Sequence, residues 1–153
     1  MAEPYVKDYL MTAGPTPLPP AVSQVMAEPM LYHRAPAFID IYARVLKRLK
    51  DVFQTETEVL LFASSGTGAM ESAVANLLAP GDVALVASCG KFGERWAELC
   101  DAFGAQTTHH QVEWGTKIEP SELDRVLAES PAEVVFTTLS ETSTGCSRPR
   151  TAG

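Results

Sequence analysis

From Glu58 onward the chain alternates two kinds of segment, and that alternation limits the folds open to it. Short runs rich in apolar and β-branched residues, at 59–63, 83–87, 106–112 and 133–138, predict strands. Between them lie segments whose apolar residues recur at helical spacing, predicting helices over 68–78, 91–103 and 121–129. Pro80-Gly81-Asp82 stops the first helix, Gly104 stops the second, and Pro120 opens the third. A helix inserted between two strands returns the chain to the end where the first strand began, so the strands pair in parallel. The expectation is an α/β fold with a mostly parallel sheet and helices on both faces. In such a sheet a ligand lies beyond the carboxyl ends of the strands.

The chain before this region has a different character. Thr12-Ala13-Gly14-Pro15-Thr16-Pro17-Leu18-Pro19-Pro20 is too rich in proline for a helix or an inner strand and reads as an extended arm, assigned to 1–20. A helical segment, 21–57, follows. It holds a short helix at 21–26, a polar-aromatic loop Leu31-Tyr32-His33-Arg34-Ala35-Pro36, and a longer helix at 37–53. Phe38, Ile41, Tyr42, Val45, Leu46, Leu49 and Phe53 form the apolar face of that longer helix, and Arg44, Lys47, Arg48 and Lys50 read as its solvated face. The third region, 58–153, carries the α/β pattern.

Three polar, glycine-bearing stretches fall at the predicted carboxyl ends of strands. After the first strand comes Ser64-Ser65-Gly66-Thr67-Gly68-Ala69-Met70-Glu71, which opens a helix. Its glycines let the backbone turn tightly and approach a ligand, its hydroxyls add donors, and the helix start offers unpaired N–H groups and a positive dipole end. That chemistry suits a phosphate. The turn also has a plain reading, as a small-residue connection between strand and helix; it matches neither the Lys-bearing nucleotide loop nor G-x-G-x-x-G. After the second strand comes Ser88-Cys89-Gly90-Lys91-Phe92-Gly93-Glu94-Arg95-Trp96, and after the fourth Ser140-Glu141-Thr142-Ser143-Thr144-Gly145. By residue type alone Phe92 fits a core position, Thr142 and Thr144 fit turn or cap positions, and Lys91, Arg95 and Trp96 fit surface or packing roles. Three such loops converging on one crevice point to a binding site more strongly than any one of them.

Charge and cysteine usage narrow the partners. A net charge of −7 argues against nucleic acid and anionic membrane. Cys89, Cys100 and Cys146 are odd in number and form no C-x-x-C pair, which fits a reducing cytosol better than a disulfide framework. No stretch has the form of a signal peptide or a membrane span, and the expected location is cytoplasmic. His109 and His110 are neighbours on a predicted strand and face opposite ways, so no metal site is expected there.

Gly14-Pro15-Thr16-Pro17, Ser65-Gly66-Thr67-Gly68-Ala69-Met70-Glu71, Gly90-Lys91-Phe92-Gly93-Glu94-Arg95-Trp96 and Glu141-Thr142-Ser143-Thr144-Gly145 follow one another in this order. Together they resemble the N-terminal part of a class V aminotransferase, of the alanine–glyoxylate or serine–pyruvate kind, over about 11–145. The resemblance implies pyridoxal 5'-phosphate as cofactor and the N-terminal part of the fold type I large domain, so that 58–153 would be a partial cofactor-binding domain. It implies that Ser65, Gly66, Thr67 and Gly68 hold the cofactor phosphate. It also implies that Phe92 stacks on the pyridine ring and that Thr142 reaches the phenolic oxygen. Gly14, Pro15 and Thr16 would line the substrate side, and Tyr32 and His33 would lie near the interface of a homodimer in the full-length protein.

The implied activity is amino transfer between a small amino acid, alanine or serine, and a 2-oxo acid, glyoxylate or pyruvate. The family's Schiff-base Lys and the Asp that pairs with the pyridine nitrogen follow the Thr-Ser-Thr-Gly stretch. Lys7, Lys47, Lys50, Lys91 and Lys117 do not match the Schiff-base position. The chain is therefore expected to be an N-terminal fragment, truncated at its C-terminus and inactive alone. A cysteine desulfurase or phosphoserine aminotransferase is the alternative with the same cofactor, and a truncated or orphan subunit without catalysis is the alternative of another class.

Overall fold

The computed structural model describes residues 10–147, so the outer part of the arm, Lys7 and the tail 148–153 lie outside the described residues. The chain divides into two compact units, 1–62 and 63–153.

In the first unit, helix α1 spans Pro20–Met26 and helix α2 spans Pro36–Phe53. Each has proline in its first turn, where the fixed φ suits a helix and the missing N–H is not needed. α2 ends on Gln54, which takes a left-handed conformation (φ 50°) and lets the Thr55 N–H reach the Lys50 carbonyl at 3.1 Å. Along α2, Phe38 and Tyr42 stack one turn apart, with ring centres at 6.1 Å. The apolar face read from the sequence is present, yet no residue of α2 is buried.

The run at 59–63, expected as the first strand, is not a strand. Leu60, Leu61 and Phe62 are exposed, and no strand among the described residues pairs with this run. Apolar composition favours a strand only where a neighbouring ladder takes up the backbone N–H and C=O groups.

The second unit carries the α/β pattern. Helix α3 spans Gly66–Leu77, strand β1 Val83–Ser88, helix α4 Lys91–Ala102, strand β2 Gln106–Gln111, helix α5 Pro120–Glu129 and strand β3 Val134–Thr137. A short antiparallel pair closes it, β4 (Ser140–Glu141) with β5 (Cys146–Ser147), where the sequence had read only a loop. The main sheet has the order β2-β1-β3 and is parallel throughout, with Val83 opposite Gln106 and Ala84 opposite Val134. β1 is the central strand and is buried on both faces, which is why it reads as an unbroken apolar run.

The alternation of β1 divides the core between the two sheet faces. Ala84 and Val86 pack with Val74 and Leu78 from the α3 side, Ala97 and Cys100 of α4, and Phe136 of β3. Ala87 faces the other way, with Cys89, Ile118 and Leu123 of α5. Helices therefore cover both faces, as expected. Gly104 stops α4 with φ +81°, and the Ala105 N–H closes the helix end on the Cys100 carbonyl at 3.0 Å. Among the described residues no helix is long and apolar enough to cross a membrane.

Candidate functional site

The start of α3 is open. Its N-cap, Ser65, is extended (φ −72°, ψ 173°) and makes no side-chain cap, and the first turn holds no acidic residue. The first four N–H groups of a helix have no partner in a regular α-helical ladder, and the dipole there favours negative charge. Here the Gly68 N–H reaches the Ser65 carbonyl at 3.0 Å, a tight first turn, and the N–H groups of Gly66 and Thr67 precede it. A Cβ on Gly66 would meet nothing within 4 Å, so the backbone at this point is accessible. Gly68 is the opposite case: a Cβ there would collide with the Ser64 side chain, 2.6 Å from its Cβ. The tight turn is built on that absent side chain. Thr67 is half-buried, and its Oγ1 accepts a hydrogen bond from Arg95 Nη1 of α4 at 3.2 Å. The same guanidinium donates through Nε to Glu98 at 2.9 Å, so its charge is already partly balanced. It and the uncapped helix start flank one short stretch of backbone, an arrangement suited to an anion with several acceptor oxygens.

The start of α4 is closed by the protein's own carboxylate. Glu141, at the end of β4, is fully buried. Its oxygens accept hydrogen bonds from the Gly93 N–H at 2.8 Å, the Ser143 N–H at 3.1 Å and Ser143 Oγ at 2.6 Å. Ser143 Oγ in turn accepts from the Lys91 N–H at 2.9 Å. Burial pushes the Glu141 carboxyl up. The bonds from Ser143 Oγ and from the N–H groups of Gly93, Ser143 and Phe92 outweigh it and hold the group below its ordinary value of 4.5. Gly90 makes room for this carboxylate: a Cβ there would stand 2.7 Å from both Glu141 Cδ and Ser143 Oγ. Of the two helix starts that follow the polar loops, α3 is the one left for an external anion.

Phe92 lies in the first turn of α4 and is 37% exposed. The core aromatic of α4 is Trp96, which stacks on Phe136 with ring centres 4.7 Å apart and planes 16° from parallel. The Phe92 ring is not part of that stack and stands over a third exposed at the helix start. Thr142 is exposed at the β4–β5 turn, beside Glu141. Lys91 is engaged elsewhere: its Nζ donates to Glu98 at 2.7 Å, and that bond is the main reason its ammonium is held above the ordinary value of 10.5.

Arg95 bonds α4 to Thr67 of α3, and Glu141 bonds α4 to the β4–β5 turn; Phe92 and Thr142 stand on these joined elements, and Ser65, Gly66 and Gly68 form the α3 start. Gly14, Pro15 and Thr16 lie exposed ahead of α1, and Tyr32 and His33 are exposed between α1 and α2, their rings in edge contact at 5.0 Å. These five belong to the first unit. His109 and His110 do part to opposite sides: Ser88 Oγ is 2.7 Å from His109 Nε2, and Glu122 lies 3.9 Å from His110 Nε2. No group of three or more His, Cys, Asp or Glu among the described residues is placed to hold a metal ion.

Two residues of this framework escape a sequence reading. Arg95 has the look of any surface cation on an amphipathic helix, and Glu141 that of a polar loop residue. The one signal for Glu141 is its place between an apolar strand and a turn crowded with hydroxyls, where a carboxylate finds donors.

Residues 8–151 match the family model for class V aminotransferases. The chain is 42% identical over 142 residues to the soluble hydrogenase small subunit of Synechococcus sp. (strain PCC 6716), covering 91% of this chain and 37% of that protein. It is 37% identical over 146 residues to the serine–glyoxylate aminotransferase of Hyphomicrobium methylovorum, covering 93% of this chain and 36% of that one. Among solved structures it is similar to the alanine–glyoxylate aminotransferase of Nostoc sp., with a TM-score of 0.83 and 30% identity over 97% of this chain and 40% of the other. The chain thus spans well under half the length of each relative. Their folds agree with the parallel sheet and its helices, and the matched region includes the α3 turn, the α4 start and the β4–β5 turn. On that match the chain belongs to the class V aminotransferases, whose cofactor is pyridoxal phosphate.

Proposed function

We propose that this chain supplies the phosphate- and ring-binding half of a site for amino transfer between alanine or serine and glyoxylate or pyruvate. The observation that carries the reading is the start of α3: uncapped, free of acid, open at Gly66 and flanked by the Arg95 guanidinium at Thr67. When bound, pyridoxal phosphate supplies the electron sink that lets an amino group leave one carbon skeleton and join another. The residues of this chain bind and orient. The N–H groups of the α3 turn and the Thr67 hydroxyl take the phosphate oxygens, Arg95 balances their charge, Phe92 covers one face of the ring, and Thr142 donates toward the phenolic oxygen.

Gly14, Pro15 and Thr16 act on the substrate side in this reading, and Tyr32 and His33 at the interface of a homodimer in the cytoplasm. None of Lys7, Lys47, Lys50, Lys91 and Lys117 matches the family's Schiff-base position, so the roles assigned to these 153 residues are binding and orienting ones. Amino donors and glyoxylate acceptors of this size are named for the relatives from Hyphomicrobium and Nostoc, and they support this substrate class here.

The test is a titration with pyridoxal phosphate, followed by the amide resonances of Gly66, Thr67 and Gly68. Saturable shifts at those three are expected, and Thr67→Val should weaken binding by about 1–3 kcal/mol, the range for a hydrogen bond to a charged group. Equal affinity in the variant would remove the phosphate assignment.

A further inference from the structure

We infer that Glu141 is a positioning residue: its buried carboxylate ties the first turn of α4, which carries Phe92, to the β4–β5 turn, which carries Thr142, so that the two move as one body. As a statement about the cofactor this rests on the Phe92 and Thr142 roles proposed above; as a statement about the two turns it stands alone.

The geometry is specific. Each Glu141 oxygen faces a different element. Oε2 accepts from the Gly93 N–H of α4, and Oε1 accepts from the N–H and Oγ of Ser143 in the turn. Ser143 Oγ closes the loop by accepting from the Lys91 N–H, so Lys91 and Gly93, the residues on either side of Phe92, are both held from the β4–β5 turn. The cluster is packed as well as bonded, since Gly90 leaves no space for a methyl group beside Glu141 and Ser143. α4 is also fixed at its inner side, where Gly93 lies against Ser88 of β1. Phe92 itself makes up none of this: it is over a third exposed, so core packing does not fix its ring. What fixes it is the backbone on both sides: Gly93 is held directly by the Glu141 carboxylate and Lys91 through Ser143 Oγ, which that carboxylate orients. The α3 start lies outside the cluster: its bond to α4 runs from Arg95 to Thr67, a turn further on, and α3 packs on α4 further along, through Val74 against Ala97 and Cys100.

The separation gives a discriminating experiment. Hydrogen exchange of the unliganded chain reads the clamp directly. Glu141→Ala is expected to speed exchange at the Gly93 and Ser143 amides by about tenfold or more, the consequence of losing charge-assisted bonds, with Val86 in β1 unchanged. Unchanged protection at Gly93 and Ser143 overturns the inference; so does equal loss at Val86, which marks a general loss of stability. Should that variant fail to fold, Ser143→Ala removes the bridging hydroxyl alone. Faster exchange at Lys91 then supports the clamp and unchanged exchange overturns it.

A second measurement uses pyridoxine 5'-phosphate, which lacks the aldehyde and forms no bond to surface lysines, against inorganic phosphate. Glu141→Ala should lower affinity for the ring-bearing probe by about tenfold and leave phosphate affinity unchanged, since phosphate is held at α3. Equal loss for both overturns the positioning role. If the native chain holds the two probes equally well, the Phe92 stacking reading fails, and the exchange data alone decide the clamp.

Discussion

A carboxylate taken out of water costs several kcal/mol unless donors fill its lone pairs, and at Glu141 the donors of two turns do so. Its folded-state pKa is depressed, so its contribution to stability is present above the ordinary value of 4.5 and is lost as the pH falls through the lower, folded value. Urea unfolding followed by tryptophan fluorescence should show stability dropping as the pH goes below about 4.5. In Glu141→Gln that part of the drop should shrink, from a lower plateau at neutral pH. Parallel curves for the two proteins would assign the acid sensitivity elsewhere. Glu98, also shifted down by its bond to Lys91, is half-exposed and screened, and contributes little. Phe92 gives the second prediction at this scale. Its exposure leaves room for a larger ring, so Phe92→Trp should fold normally and hold pyridoxal phosphate at least as well, while Phe92→Ala should weaken it. A Trp variant that unfolds, beside an Ala variant that binds normally, would return Phe92 to a packing role. The position of Phe92 was legible because an aromatic just after a strand and a Gly lands at a helix start. The burial of Glu141 was not, since it depends on donors 48 residues away that only the folded chain delivers.

Helix and sheet backbone meet closely where α4 crosses the end of β1. A Cβ on Gly93 would stand 2.8 Å from the Ser88 Cα, and a backbone atom in a central strand cannot yield as a side chain can. Gly93→Ala should therefore destabilise the protein by about 1–3 kcal/mol through overpacking, read as a lower urea midpoint. A gain in stability, as expected for Gly→Ala in an unconstrained helix, would show that α4 is free to move off the sheet. At this scale most of the fold was legible. The helices of the second unit and the strands β1, β2 and β3 fall within two residues of their expected bounds, because period and punctuation are local properties. The run at 59–63 was misread because an apolar run says nothing about whether a ladder partner exists. The β4–β5 pair was missed because its strands are two residues each, too short to carry a period.

For the molecule as a whole, the three-stranded sheet leaves one edge of β2 and one edge of β3 without a strand partner among the described residues. Leu60, Leu61, Phe62, Val135 and Leu139 add exposed apolar surface. Unpaired edges and apolar patches drive association. Residues 1–153 are expected to self-associate in sedimentation and to show no amino transfer from alanine or serine to glyoxylate or pyruvate in a coupled assay. A stable monomer turning over above about 1 per second would refute this. The sheet order has one more consequence. The contact of β1 with β2 joins residues 21 apart, as at Ser88 and His109, whereas that with β3 spans 50, as at Val83 and Glu133. Closing the longer loop costs about 0.6 kcal/mol more for each doubling of its length, and the β1–α4–β2 unit is complete without it. The pair that frames Phe92 therefore has the smaller closure cost, by under about 1 kcal/mol, and the Glu141 clamp that locks it comes only with the part of the chain that makes the longer closure.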